Sequence, residues 1–335
     1  MKKYPFFAGL GLSLFLLGNL SMAQTVSTPI VGFQKTTLNA NSYKGIGIPL
    51  LNPAVITGSV SSKSGYVVAI SGASALGDSL QAAPSAYYLE VTSPANSPNI
   101  GDRLEVDVAA TKTANNGTVV LATSPRNTAN ATSASLASGT GVVVRKHVTL
   151  DQFRASLGGN LRGDDNSLAS ADVVYMHNGV GFMPFWLGSD LQSWYSNDDP
   201  DDHRYDVVAP GQGVLFFKRG AATTFTSTGA VRANDFKQAL PAGYQMGAPG
   251  YPVSYTPVQL GGALNNGWVA NDKIYTHNGI GFTAYTLIND GSSEGAWDDG
   301  ENPDPANNTV IVNGDTSFLT YLSSPVTDVE TKPVQ

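Results

Sequence analysis

Cysteine is absent from all 335 residues. A chain without thiols has no disulfide, no thiolate metal site and no cysteine nucleophile, so packing alone must hold it together. Charge is scarce as well: only 13% of residues are charged, and Asp plus Glu outnumber Lys plus Arg by 26 to 19. Phosphate backbones require a basic stripe, so nucleic acid is excluded as a partner. There are four histidines and no H-E-x-x-H pair, and neither a G-x-S-x-G elbow, a Walker loop nor a dinucleotide fingerprint is present. No catalytic motif and no cofactor is therefore expected.

Long apolar runs are also missing, except at the start. Lys2 and Lys3 precede an apolar stretch from Phe6 to Leu20, and Ser21-Met-Ala23 has the small residues of a leader cleavage site. Residues 1–23 are expected to be a signal peptide, with a mature chain from Gln24 that is secreted, periplasmic or held in the outer cell envelope. A retained membrane helix fits less well, because the run is short and no stop-transfer charges follow.

What the sequence does have is glycine, 36 residues of it, with abundant Ser, Thr, Asn and Val. That mixture favours strands and tight turns over helices. It also has a repeat. Asp172-Val-Val-Tyr-Met-His-Asn-Gly-Val-Gly-Phe182 returns as Asp272-Lys-Ile-Tyr-Thr-His-Asn-Gly-Ile-Gly-Phe282. Each copy predicts a β-hairpin with Asn178-Gly179 or Asn278-Gly279 at its turn, and a bulge or close approach at Gly181 and Gly281. Trp194 and Trp297 follow, each with an acidic loop. Val207–Phe217 is matched by Val310–Thr320, a strand, a turn and a strand. Upstream, Thr149-Leu-Asp-Gln152 and Thr256-Pro-Val-Gln259 are capping boxes that predict one short helix per copy.

The predicted fold class is all-β: a small N-terminal barrel or sandwich over residues 24–146, then two duplicated modules. These span residues 147–240, including a linker strand, and 241–323, with a flexible tail over 324–335. Six strands are expected in the N-terminal part, at 46–51, 66–70, 87–92, 104–108, 118–122 and 142–144.

Three groups of residues merit scrutiny as sites. Trp194, Trp297 and Tyr195 lie beside carboxylates, the pairing that stacks on and hydrogen-bonds a sugar; the alternative is that the tryptophans plug the ends of small β-modules. Asp198, Asp199, Asp298 and Asp299 are the weak metal candidates, oxygen-rich but off the spacing of a twelve-residue calcium loop, so solvated turns are expected. His177 and His277 recur at the turns, where a side chain bonding nearby backbone explains them better than metal does.

The motifs Ala171-Asp-Val-Val-Tyr175 and Pro210-Gly-Gln-Gly-Val-Leu-Phe-Phe217, with Gly243-Tyr-Gln-Met246 and Tyr251-Pro-Val253, resemble an uncharacterised family of exported bacterial proteins. Its members pair a β-rich N-terminal region with two such modules. Ile48-Pro-Leu-Leu51, Gly58-Ser-Val60 and Tyr87-Tyr-Leu-Glu-Val91 extend the likeness, and Asn313-Gly-Asp-Thr316 departs from it. Residues 241–322 also resemble small β-domains appended to surface proteins. The resemblance implies an exported structural or interaction protein and brings no catalytic residue with it. Surface glycans or other envelope proteins are the candidate partners; a glycan-binding module pair and a secreted hydrolase are the competing readings.

Overall fold

The computed structural model describes residues 30–73, 76–94, 97–129, 136–197, 199, 201–300, 309 and 311–330, so the signal peptide expected over residues 1–23 lies outside the described residues. The chain is all-β. One six-stranded antiparallel sheet is built wholly from the N-terminal part, between Ala54–Ser64 and Gly141–Lys146. Its edge strands, Arg103–Glu105 and Thr118–Val120, meet through a bridge between Val106 and Leu121 and a hydrogen bond from Ala122 N–H to the Glu105 carbonyl. The sheet thus curls onto itself around Val68, Leu89, Val119 and Val144, all buried. Ala54–Ser64 has no counterpart in the sequence reading. It is rich in Ser, Thr and Gly, and bulges interrupt its pairing with both neighbours, so its alternation is masked.

The two repeats each form a five-stranded antiparallel sheet with one strand order. In the first it runs Trp194–Ser196, Phe182–Leu187, Val173–His177, Val214–Lys218, Ser42–Ile46. In the second it runs Ala296–Asp298, Phe282–Ile288, Lys273–His277, Phe318–Leu322, Gly243–Gly247. A two-stranded ribbon accompanies each: Val31–Leu38 with Thr223–Ala230, and Phe236–Leu240 with Val326–Glu330. Registers agree as well as order, since Ile46 faces Val214 where Gly247 faces Phe318.

This corrects the expected boundaries. Residues 31–46 pair with the first repeat, not with the N-terminal sheet. Ser42 aligns with Gly243 at an offset of 201, and Val214 with Phe318 at an offset of 104. The first repeat is therefore split by 97 extra residues, and the curled sheet is an insertion into it. The tail is corrected too: Val326–Glu330 is a paired strand, fixed where the buried Glu330 carboxylate accepts the Gly250 N–H at 2.8 Å. The two capping boxes also diverge. Thr149 caps a helix over Leu150–Ala155. Thr256 and Gln259 make both reciprocal bonds of the box, at 3.3 and 3.0 Å, yet the segment stays a single turn followed by a 3-10 helix at Leu264–Asn266. Gly261, at φ +90°, ends it early.

The repeats meet across an approximate two-fold axis. Gly47 N–H donates to the Asp315 carbonyl at 3.0 Å, and its counterpart Ala248 N–H donates to the Gly211 carbonyl at 2.8 Å. Swapped pairs of this kind are the mark of a self-complementary contact. Leu215, Met246 and Leu319 fill the joint, flanked by Tyr43, Tyr175 and Tyr275. The inserted sheet docks onto the same joint through buried charge: Glu90 pairs with Arg232, and Lys237 reaches Asp102 at 2.6 Å.

Candidate functional site

Inserted sheet, first repeat and second repeat surround a cavity of about 360 Å³. Its volume lies at the small end of the range for small-molecule sites. The inserted sheet contributes Arg103, Glu105 and Arg126; the first repeat contributes His147 and Gln212; the ribbon and edge strand of the second contribute Gln238 and Gln245.

His147 is 1% exposed. Its Nε2 lies 3.0 Å from both carboxylate oxygens of Glu105, and its ring packs on Tyr88 at 4.8 Å. Burial pulls the imidazole below its ordinary pKa, against the opposing pull of Glu105, so the ring is neutral at pH 7. The proton then sits on Nε2, facing the carboxylate, and Nδ1 is a bare acceptor with no partner. Arg126 reaches the same carboxylate at 3.5 Å. Arg103 is fixed by carbonyls of the two repeats, Pro210 at 2.5 Å and Lys237 at 2.6 Å, and lies 4.7 Å over the Phe236 ring. Burial lowers its pKa to about 10, which leaves it a cation at neutral pH. Gln238 gives its amide N–H to the Gly211 carbonyl at 2.5 Å, and its Oε1 has no partner. Among the described residues no serine, threonine or lysine lines the cavity, and Tyr88, against whose ring His147 packs, is the hydroxyl-bearing residue of its lining.

His177 and Asn178 of the first hairpin line this cavity, and the other residues singled out from sequence lie elsewhere. Trp194 and Trp297 are 0% exposed and belong to the cores of the two repeats. They offer no stacking face, which overturns their assignment as binding residues and supports the plug alternative. Each closes one end of its sheet, and Trp297 also donates Nε1–H to the Gly262 carbonyl at 2.8 Å. Tyr195 is half-buried beside Trp186, 6.3 Å away, so it packs as part of a small cluster. Asp199 and Asp298 each accept a backbone N–H two residues on, at 2.9 and 2.8 Å, the geometry of local turns. Asp299 is half-buried in the same second loop, and Asp198 lies outside the described residues. Among the described residues no three His, Asp or Glu side chains converge to hold a metal ion.

The hairpin histidines turn inward. Nδ1 of His177 accepts the Gly179 N–H, and Nδ1 of His277 the Gly279 N–H, both at 3.1 Å. The turn itself is displaced by one residue from expectation. Asn178 N–H bonds the Gly181 carbonyl, and Asn178 Oδ1 accepts from Val180 and Gly181, so Gly179-Val180 is the central pair. Only Gly179 has positive φ, +95°, matched by Gly279 at +100°. The expected close approach at Gly181 and Gly281 is not seen, since a Cβ there would meet nothing within 4 Å.

Sequence reasoning missed Glu105, Arg126, His147 and Gln238 because each occurs once, in a different part of the chain. No known protein family, no curated protein and no solved structure matches this chain.

Proposed function

We propose that this chain is an exported, non-catalytic protein with a structural or interaction role outside the inner membrane. The observation that carries the reading is where the shared residues of the two repeats point. Asp172 and Asp272 hold backbone N–H groups, Asn178 and Asn278 shape turns, His177 and His277 brace them, and Trp194 and Trp297 fill cores. A duplication kept for catalysis would keep reactive groups at a surface, whereas this one keeps the parts of a scaffold. The leader-like segment before Gln24, the lack of cysteine and the resemblance to exported β-rich proteins support the location.

Fractionation of cells producing the full chain tests it. The protein should be recovered from periplasm, envelope or medium, with N-terminal sequencing starting at Gln24. Recovery in the cytosol with Met1 intact would overturn the reading.

A further inference from the structure

The two ribbons are equivalent strands in unequal surroundings. Thr36 donates its hydroxyl to the Asp315 carboxylate where Gln238 donates its amide to the Gly211 carbonyl, so Lys35 and Lys237 occupy one place. In the second repeat the inserted sheet closes the outer edge of this strand. Arg103 donates to the Lys237 carbonyl at 2.6 Å, and the Lys237 ammonium reaches Asp102. In the first repeat the same edge is bare: Val31–Leu38 pairs with Thr223–Ala230 on one side and, among the described residues, with no strand on the other. The partner strand shows which way its backbone points. Ala230 spends both N–H and C=O on Leu51, at 2.9 Å each, so it exchanges no bond with Val31 opposite. By antiparallel alternation Val31, Phe33, Lys35 and Thr37 therefore aim their N–H and C=O groups at the open edge. Their side chains are exposed as well, Val31 at 73% and Phe33 at 65%. A bare edge carrying apolar side chains is a template for another strand.

We propose that this edge pairs with the same edge of a second copy, joining two ribbons into one four-stranded antiparallel sheet. The strand is self-complementary in one register, centred on Gln34. There all four outward residues of each copy are engaged, Val31 opposite Thr37 and Phe33 opposite Lys35, with about eight backbone bonds formed. Shifting the register by one pair either way engages only about three of the four. The centred register also sets Lys35, the one charged residue of the strand, across from the second copy's Phe33. A ring face attracts an ammonium and its methylene stem packs on it, whereas one of the shifted registers sets Lys35 against Lys35. The contact uses the same patch on both copies, so it closes as a dimer and grows no filament. One strand edge is a small interface, so the dimer is expected to dissociate in the micromolar range. The inference goes beyond the role proposed above, since it holds wherever the protein resides.

Sedimentation of the purified protein from about 1 to about 300 µM should show a monomer–dimer equilibrium with Kd of about 1–100 µM. Phe33→Lys sets lysine against lysine at both outer pairs and should weaken association at least about tenfold. Phe33→Glu sets a carboxylate against Lys35 instead, and should associate at least about threefold more tightly than Phe33→Lys, less so as salt is raised. Both variants should keep the wild-type melting midpoint, because the Phe33 side chain is exposed. A single cysteine reports the register, since the chain has none of its own. Gln34→Cys faces its own copy across the two-fold axis, with Cα atoms about 4.5 Å apart, and should crosslink under mild oxidation. Val31→Cys, whose copies lie at opposite ends of the paired strands, should not. A wild type that stays monomeric throughout would overturn the proposal. Dimerisation undiminished in Phe33→Lys would do the same, as would crosslinking by Val31→Cys and not by Gln34→Cys. Localisation is measured separately, so failure here leaves the export reading standing.

Discussion

The two repeats solve one problem with different chemistry. Asp172 and Asp272 occupy the same place, each trading backbone bonds with the loop before its hairpin and each accepting the first N–H after the sheet's fourth strand. In the first repeat the buried carboxylate is completed by Lys218, whose Nζ lies 2.9 and 3.0 Å from its oxygens. In the second, Leu322 stands where Lys218 does, and the Ser323 hydroxyl completes Asp272 at 2.8 Å. An ion pair and a hydroxyl are thus exchangeable at one site, provided that every lone pair finds a donor. The turns teach the same lesson. Ala209 N–H is capped by the Gln212 side chain and Asn313 N–H by the Thr316 hydroxyl, both at 3.1 Å, so the departure at Asn313–Thr316 preserves the bond while changing the residue.

The largest effect expected from breaking this comparison is at the ion pair. Lys218→Leu leaves Asp172 buried without its cation, and urea unfolding should show a loss of about 3–5 kcal/mol. Smaller, and alike in both repeats, are the turn glycines. Gly179→Val and Gly279→Val should each cost about 1–3 kcal/mol, because a β-branched residue resists positive φ. A Cβ at 179 would meet Gln245 at 3.4 Å and one at 279 nothing, so the two losses should agree closely. A null effect at either would show that its turn is not held at positive φ.

Half of this architecture was legible and half was not, for physical reasons. Hairpins, capping boxes and turns are local, so Asp172–Phe182 and Asp272–Phe282 announce themselves at one offset. The first repeat's edge strand is different: Ser42–Ile46 shares only a tyrosine with Gly243–Gly247 at aligned positions, and 97 extra residues intervene before its partners. Strand pairing carries no sequence signature across such a gap. The turn phase escaped because an asparagine side chain, not its backbone, supplies the closing acceptor. His147, Glu105 and Gln238 come together only through the docking of three parts, and no spacing encodes that.

Weaker effects sharpen the comparison further. Burial lowers the pKa of His177 and of His277, which keeps both neutral and able to accept the glycine N–H. Protonation therefore favours the unfolded chain: the contribution is complete above the ordinary histidine pKa of about 6.5 and declines as pH falls below it. Both rings are only half-buried, so each should account for no more than a few tenths of a kcal/mol between pH 7.5 and 5.5. Replacing either histidine with glutamine should flatten the pH profile by the same amount, and unequal changes would break the equivalence. Calcium should do least of all. Millimolar calcium against chelator should leave the melting midpoint unmoved, and a shift of several degrees abolished by Asp199→Asn or Asp299→Asn would reveal an ion site in the acidic loops.

The repeats are one scaffold whose differences are interchangeable answers to the same bonding demand. Moving the second repeat's answer into the first tests this directly. Lys218→Leu with Arg219→Ser places at Asp172 the leucine and hydroxyl found at Asp272. Unfolding free energy is measured for wild type, Lys218→Leu and the double variant. Recovery of most of the single variant's loss is the predicted result, to within about 1–2 kcal/mol of wild type, the remainder reflecting the Asn160 carbonyl that loses the lysine. A double variant no more stable than Lys218→Leu alone would contradict the equivalence of the two repeats.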